Sequence, residues 1–168
     1  MTGEFETEEW EDFKRKCARR YLRNVMYLKH KAARHESELA ELREIAYGLA
    51  AVDYSRDNVS TSPTADSIPN KVIAINERIA DGMADIDEYM DALDGLRRTL
   101  DRMENQLHAR VVRMHYVEEM EYEDIVSVLK DEDTPWSLAS VKRFSAMGLD
   151  ELYYLMPQEW RVPAYPAI

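Results

Sequence analysis

The chain has a single cysteine, Cys17, which leaves no internal disulfide and no thiol pair for a zinc site. A reducing cytoplasm is the compartment expected from this reading. Only 5 glycines and 6 prolines punctuate 168 residues, and most of them cluster, which disfavours many short strands joined by tight turns. No apolar run approaches the roughly 20 residues that a membrane span needs. The first residues, Met1-Thr2-Gly3-Glu4-Phe5-Glu6, are acidic and do not suit a secretory signal or transit peptide. Basic charge is also short: 22 Lys and Arg stand against 33 Asp and Glu, a formal net charge of −11. DNA readers usually carry a basic footprint, because lysine and arginine displace counterions from phosphates. A reader with this balance has to segregate its cations or borrow affinity from a partner.

What is present is helical rhythm, and the expected fold is all-α. From about Glu8 to Val52, the residues Tyr21, Val25, Leu28, Ala32, His35, Leu39, Leu42, Ala46 and Leu49 recur at alternating spacings of four and three. That is a coiled-coil seam, which Trp10, Phe13 and Cys17 extend toward the N-terminus. Residues 53–70, rich in Ser, Thr, Asp, Asn and Pro, read as a linker. A second seam begins at Lys71 and runs through Val72, Ile75, Ile79, Met83, Ile86, Met90, Leu93, Leu100, Met103, Leu107, Val111 and Met114. Leu96 sits one residue off it, with Arg97 at the seam position. Two long helices around one linker predict a long antiparallel, coiled-coil-like hairpin over residues 1–104. Its register would set Leu42 near Ile79, Leu28 near Leu93 and Tyr21 near Leu100. Such a hairpin buries little, so dimerisation or packing on the C-terminal part is expected.

Between Lys14 and Arg34 lie nine cations and no acid: Lys14, Arg15, Lys16, Arg19, Arg20, Arg23, Lys29, Lys31 and Arg34. Two readings stand side by side. The stretch is a patch for phosphates or an acidic protein, or it pairs with Glu88, Asp91, Asp94, Asp101 and Glu104 across the hairpin and fixes register.

Residues 105–156 change character to short, capped helices. Tyr122 to Leu129 forms a short amphipathic helix with its acids in the first turn, as the helix dipole prefers. A polar break, Lys130 to Pro135, follows. Ser137 can cap a second helix from Leu138 to about Met156, with Val141, Phe144, Met147 or Gly148, Leu152 and Leu155 facing inward. The pattern predicts a helix-turn-helix, whose second helix enters the major groove by its N-terminal end. The candidate DNA-binding residues are Ser137, Leu138, Ser140, Lys142 and Arg143, with Arg110 and Arg113 as phosphate contacts from the preceding helix. No acid occurs between Trp136 and Leu149, so the reading surface is locally positive. Residues 157–168, with Trp160, Pro163 and Pro166, form a tail that docks on the body or on a partner.

From about Tyr21 to Leu155 the chain resembles the RinA/ArpU-type phage regulators, whose C-terminal part is similar to region 4 of sigma-70 factors. Glu123 to Leu129 matches the first helix of that module, and Ser137 to Arg143 the start of its recognition helix. Gly148-Leu149-Asp150-Glu151-Leu152 stands where the family has an Ala-Leu-x-x-Leu close. A long Glu-rich helix ending in a Val59 to Pro63 linker completes the likeness. The resemblance implies a prophage-encoded activator of late genes that acts, in the cytoplasm of a bacterial host cell, on double-stranded promoter DNA with host RNA polymerase. The turn, Lys130 to Trp136, is longer and more acidic than the family's, and Gly148 replaces the usual alanine, a change expected to loosen the second helix.

Histidines His30, His35, His108 and His115 form no His-Glu-x-x-His pattern, and no phosphate loop or nucleophile elbow appears. His35 reads as a tolerated polar residue in the seam, and the heptad spacing of His108 and His115 fits helix surface. Neither enzymatic activity nor a cofactor is expected. Two rival functions remain: a DNA-packaging protein of the small-terminase kind, and a coiled-coil adaptor that binds protein only.

Overall fold

The computed structural model describes the backbone of residues 2–55 and 68–161 and the side chains of residues 7–49, 51 and 68–161. Every regular element among them is helical: α1 (Thr2–Ser55), α2 (Ile68–Asp101), α3 (Gln106–Val112), α4 (Tyr122–Asp131) and α5 (Leu138–Leu155). A π-helical turn, Arg113–Val117, follows α3, and a 3-10 turn, Gln158–Arg161, follows α5. No described helix is long and apolar enough to cross a membrane. Helix boundaries trim the expected linker at both ends, and what remains of it, including Val59 to Pro63, lies outside the described residues. Pro69 falls in the first turn of α2, where its missing N–H breaks no helical bond.

Packing divides the chain into two units, Leu28–Asp91 and Met1–Tyr27 together with Ala92–Ile168. Within Leu28–Asp91, α1 and α2 run antiparallel. Lys31 Nζ and His35 Nε2 reach the two carboxylate oxygens of Asp85 at 3.1 and 2.7 Å, while Leu39 lies against Gly82. Leu39 opposite Gly82 puts Leu42 opposite Ile79, the register read from the sequence. His35 is thus a half-buried seam residue with a carboxylate partner. The seam closes only partly: Leu28, Ala32 and Leu39 are buried, but Leu42, Ala46, Leu49, Val72, Ile75 and Ile79 are half-buried. Since burying a leucine or isoleucine fully stabilises by about 1.5–3 kcal/mol, this part of the hairpin realises only a fraction of that.

The other unit holds the larger core. Leu22 and Val25 of α1, Leu96 and Leu100 of α2, Val111 and Val112 of α3 and Leu149 and Leu152 of α5 are all essentially inaccessible. Leu96, not Arg97, is the buried residue, so the seam of α2 steps by one there. The Tyr21 hydroxyl bonds to Thr99, one residue from the expected neighbour Leu100.

The continuous rhythm from Val72 to Met114 conceals a break at residues 102–105. Asn105 caps α3, its side chain accepting from His108 N at 3.1 Å, and Gln106 Nε2 donates back to the Met103, Leu100 and Asp101 carbonyls. These two adjacent amides satisfy the end of one helix and the start of the next, so the chain turns without losing its apolar spacing.

Of the cations of α1, Lys31 pairs across the hairpin, though with Asp85 rather than one of the expected acids, while several nearer the N-terminus find other partners. Arg15 makes a two-pronged bond to Asp150 of α5, 2.9 Å to each oxygen. Lys16 pairs with Asp12, Arg19 donates to the Tyr116 hydroxyl at 3.4 Å, and Lys14 is buried between Trp10 and Tyr154. Asp94, one of the expected partners, instead takes Arg98 on its own helix. The described part of the tail docks on the body. Trp160 packs on Tyr21 and Arg20, and Arg161 donates to the Met156 and Tyr154 carbonyls that end α5.

Candidate nucleic-acid interface

α3, α4 and α5 surround a core of Val111, Met114, Ile125, Leu129, Val141 and Phe144. α4 begins at Tyr122 with Glu123 and Asp124 in its first turn, and just past its end, beyond the C-cap Glu132, Asp133 is left-handed at φ 58°. Asp133 N and Thr134 N donate to the Lys130 and Leu129 carbonyls, at 3.1 and 3.0 Å, which satisfies the helix end in the pattern that usually employs glycine. Three residues later Ser137 caps α5. Its Oγ accepts from Ser140 N at 3.1 Å and donates to Ser140 Oγ at 2.9 Å.

From the cap to Met147 the exposed set is Ser137, Ala139, Lys142, Arg143 and Met147, with Leu138, Ser140 and Ala146 half-buried. At about 100° per residue, Ala139, Lys142, Arg143 and Ala146 share one face. Val141, Phe144, Ser145, Gly148 and Leu149 fill the other and are buried. The acids of α5 are confined to its second half and occupied there: Asp150 by Arg15, and Glu151 by the backbone N–H of Glu104. The outward face of the first two turns therefore carries only positive charge. Lys142 Nζ stands 6.0 Å from the Tyr122 ring and Arg143 Cζ 6.0 Å from the Phe144 ring. The inward-facing position is Gly148 rather than Met147, because α3 comes so close that no side chain fits.

Arg110 and Arg113 do not join this face. His108 and Val112 are the α3 residues that meet Gly148 of α5, and about 100° per residue turns Arg110 and Arg113 to the far side of α3. Each has its own carboxylate. Glu132 binds Arg110 through both oxygens at 2.5 Å, and Arg113 Nε lies 3.4 Å from Glu118. The side-chain hydrogen bonds of the first pair raise the Arg110 pKa and hold the Glu132 carboxyl below its ordinary value.

Two features carry no strong sequence signal. Trp136, 42% exposed, stands edge-on to Phe144 immediately before the cap of α5. His108, taken from its spacing as a surface residue, is buried between α3 and α5, where its ring stacks on Phe144. Likewise His115 stacks on Tyr122 and bonds the Met120 carbonyl. Among the described residues no cluster of His, Cys, Asp or Glu could hold a metal ion.

Burial depresses the His108 pKa below the ordinary 6.5, with the Glu151 charge opposing the shift and Arg143 adding to it. A depressed value favours the neutral ring, so this contribution to stability is complete above pH 6.5. It is lost as pH falls from there through the folded-state value. Urea unfolding at pH 7.5 and 5.5 is expected to show a larger loss for the wild type than for His108→Gln; equal losses would remove His108 as the cause.

Comparison with known protein families, with curated proteins and with solved structures finds no match.

Proposed function

We propose that α4, its loop and α5 form a helix-turn-helix reader of double-stranded DNA in a phage-type transcription regulator. The observation that carries this reading is the outward face of α5: two exposed cations, Lys142 and Arg143, and no acid from Trp136 to Leu149, at the end of a helix fixed by the Ser137 cap. The major groove of B-DNA admits a helix, and its N-terminal residues meet base edges. In this role Arg143 bonds guanine O6 and N7, Leu138 contacts a thymine methyl, and Lys142 takes a phosphate. Ser137 and Ser140 hold the helix start and share their hydroxyls with each other. The resemblance to the RinA/ArpU-type regulators supports action at late promoters with host RNA polymerase. The partly closed seam of Leu28–Asp91 supports a dimer, which would double the few cations available.

Fluorescence anisotropy on a selected duplex tests this. With two cations per protomer the log–log salt slope is expected near about −2 for one protomer and about −4 for a dimer. Arg143→Ala should weaken the selected site by roughly 5- to 150-fold, the worth of about 1–3 kcal/mol for one bidentate base contact. A slope steeper than about −6 would require other cations to make the contact. Unchanged affinity in Lys142→Ala/Arg143→Ala would remove α5 from the interface.

A further inference from the structure

Within Leu28–Asp91, α1 carries a second periodic row on the side turned away from its buried seam. His30, Ala33, Ser37, Ala40, Glu44 and Tyr47 recur at alternating spacings of three and four, the same rhythm as the seam itself. All six are exposed. Tyr47, 82% exposed, is the most open of the large hydrophobic residues described. Alanine and serine fill the middle of the row, so a helix laid along it can approach to an axial separation of about 8 Å, the short end of helix packing.

Four charges border the row. Arg34 and Glu41 lie along one edge, Glu36 and Arg43 along the other, so each edge changes sign along its length. All four are exposed, and none makes an ion pair among the described residues. Glu38, one turn from Arg34, is turned instead to His35. Glu41 stands three residues from both Glu38 and Glu44, like charges that neighbour one another on a helix. A two-fold axis converts such a sign change into attraction, because it sets each half of the row against the other half of its copy. Laid antiparallel on a second copy, Arg34 meets Glu41 and Glu36 meets Arg43, each pair occurring twice. Between these edges Ser37 faces Ala40, and Tyr47 is covered by His30. Laid parallel and in register, Glu36 would instead meet Glu41, and the contact repels.

We propose that this outer face of α1 joins two copies of the chain as an antiparallel helix pair, with the two-fold axis passing between Ser37 and Ala40. A polyanion fits the face less well, because its edges present acids and cations in equal number. From His30 to Tyr47 the row is about 27 Å long. So short a contact, with small side chains at its centre and exposed ion pairs at its edges, makes a reversible and salt-sensitive dimer. The proposal names the surface of the dimer that the DNA reading calls for, yet it draws on nothing in α5.

Sedimentation equilibrium of the full chain without DNA, from micromolar to sub-millimolar concentration and at low and high salt, tests this. A monomer–dimer equilibrium that weakens with salt is expected. Arg34→Glu and Glu41→Arg should each weaken dimerisation by roughly 5- to 100-fold at low salt, because the two-fold axis makes each reversal count twice. Arg34→Glu/Glu41→Arg puts opposite signs back across the axis and should recover most of the loss, a rescue that a misfolded variant cannot produce. Lys142→Ala/Arg143→Ala should dimerise as the wild type does, so a failure to dimerise and a failure to bind DNA are told apart. A monomer at every concentration would leave the face to another partner and overturns the proposal. So does a dimer indifferent to the reversals, or a double variant that associates no better than the single ones.

Discussion

Leu129→Ala is expected to lower the unfolding free energy of the unit containing α3, α4 and α5 by about 2–5 kcal/mol. Leu129 is wholly inaccessible and sits among Val111, Met114, Ile125, Val141 and Phe144. Removing its isobutyl group forfeits the transfer free energy and leaves a cavity between helices that cannot collapse far. α4 is only ten residues long, and helices this short owe their stability to packing rather than propensity. The loss should therefore fall on α4 and on the loop that sets the start of α5. All three tryptophans, Trp10, Trp136 and Trp160, belong to this unit, so urea unfolding followed by tryptophan emission reads it directly. A loss below about 1 kcal/mol would mean that Leu129 is not the packed centre described.

Gly148→Ala carries the second large effect, and its sign is the informative part. Alanine is the better helix former by about 0.8–1 kcal/mol, and the sequence suggested that glycine merely loosens α5. The packing shows why glycine stands there. A Cβ at position 148 would lie 2.5 Å from Val112 Cγ2 and 3.1 Å from the His108 carbonyl oxygen. Val112 is β-branched and buried, and the carbonyl is backbone, so neither yields cheaply. Overpacking of this kind costs about 1–3 kcal/mol, which exceeds the propensity gain, and a net loss of up to about 2 kcal/mol is expected. Gly95 of α2 provides the opposite case, since a Cβ there meets nothing within 4 Å. Gly95→Ala should stabilise by up to about 1 kcal/mol. Thermal melts of both variants check the pair; stabilisation by Gly148→Ala would contradict the close approach of α3 and α5.

The periodic features of this fold were legible because they repeat. Heptad spacing alone placed Leu42 opposite Ile79, and the contacts of Leu39 and His35 agree with it. The cap at Ser137 was legible because a serine before an apolar run is a local signal that needs no tertiary context. What escaped the sequence depended on neighbours. The break at 102–105 was hidden because Leu100, Met103, Leu107 and Val111 keep their rhythm across it, although Asn105 is an N-cap type that could have marked it. Arg110 and Arg113 were expected as phosphate contacts from the helix before α5, but helix phase turns them from its outward face, and Glu132 and Glu118 pair with them. His108 carried the spacing of a surface residue and became core because α5 lies over it. Asp85, which takes Lys31 and His35, stood among many acids on α2 with nothing local to single it out.

Selection of genomic DNA fragments with the wild-type chain and with Arg143→Ala tests the reading face of α5 most directly. The wild type is expected to enrich fragments sharing one site, with a guanine at the position that Arg143→Ala no longer distinguishes. Fragments without a shared site, or the same set recovered equally well by the variant, would contradict DNA reading by α5.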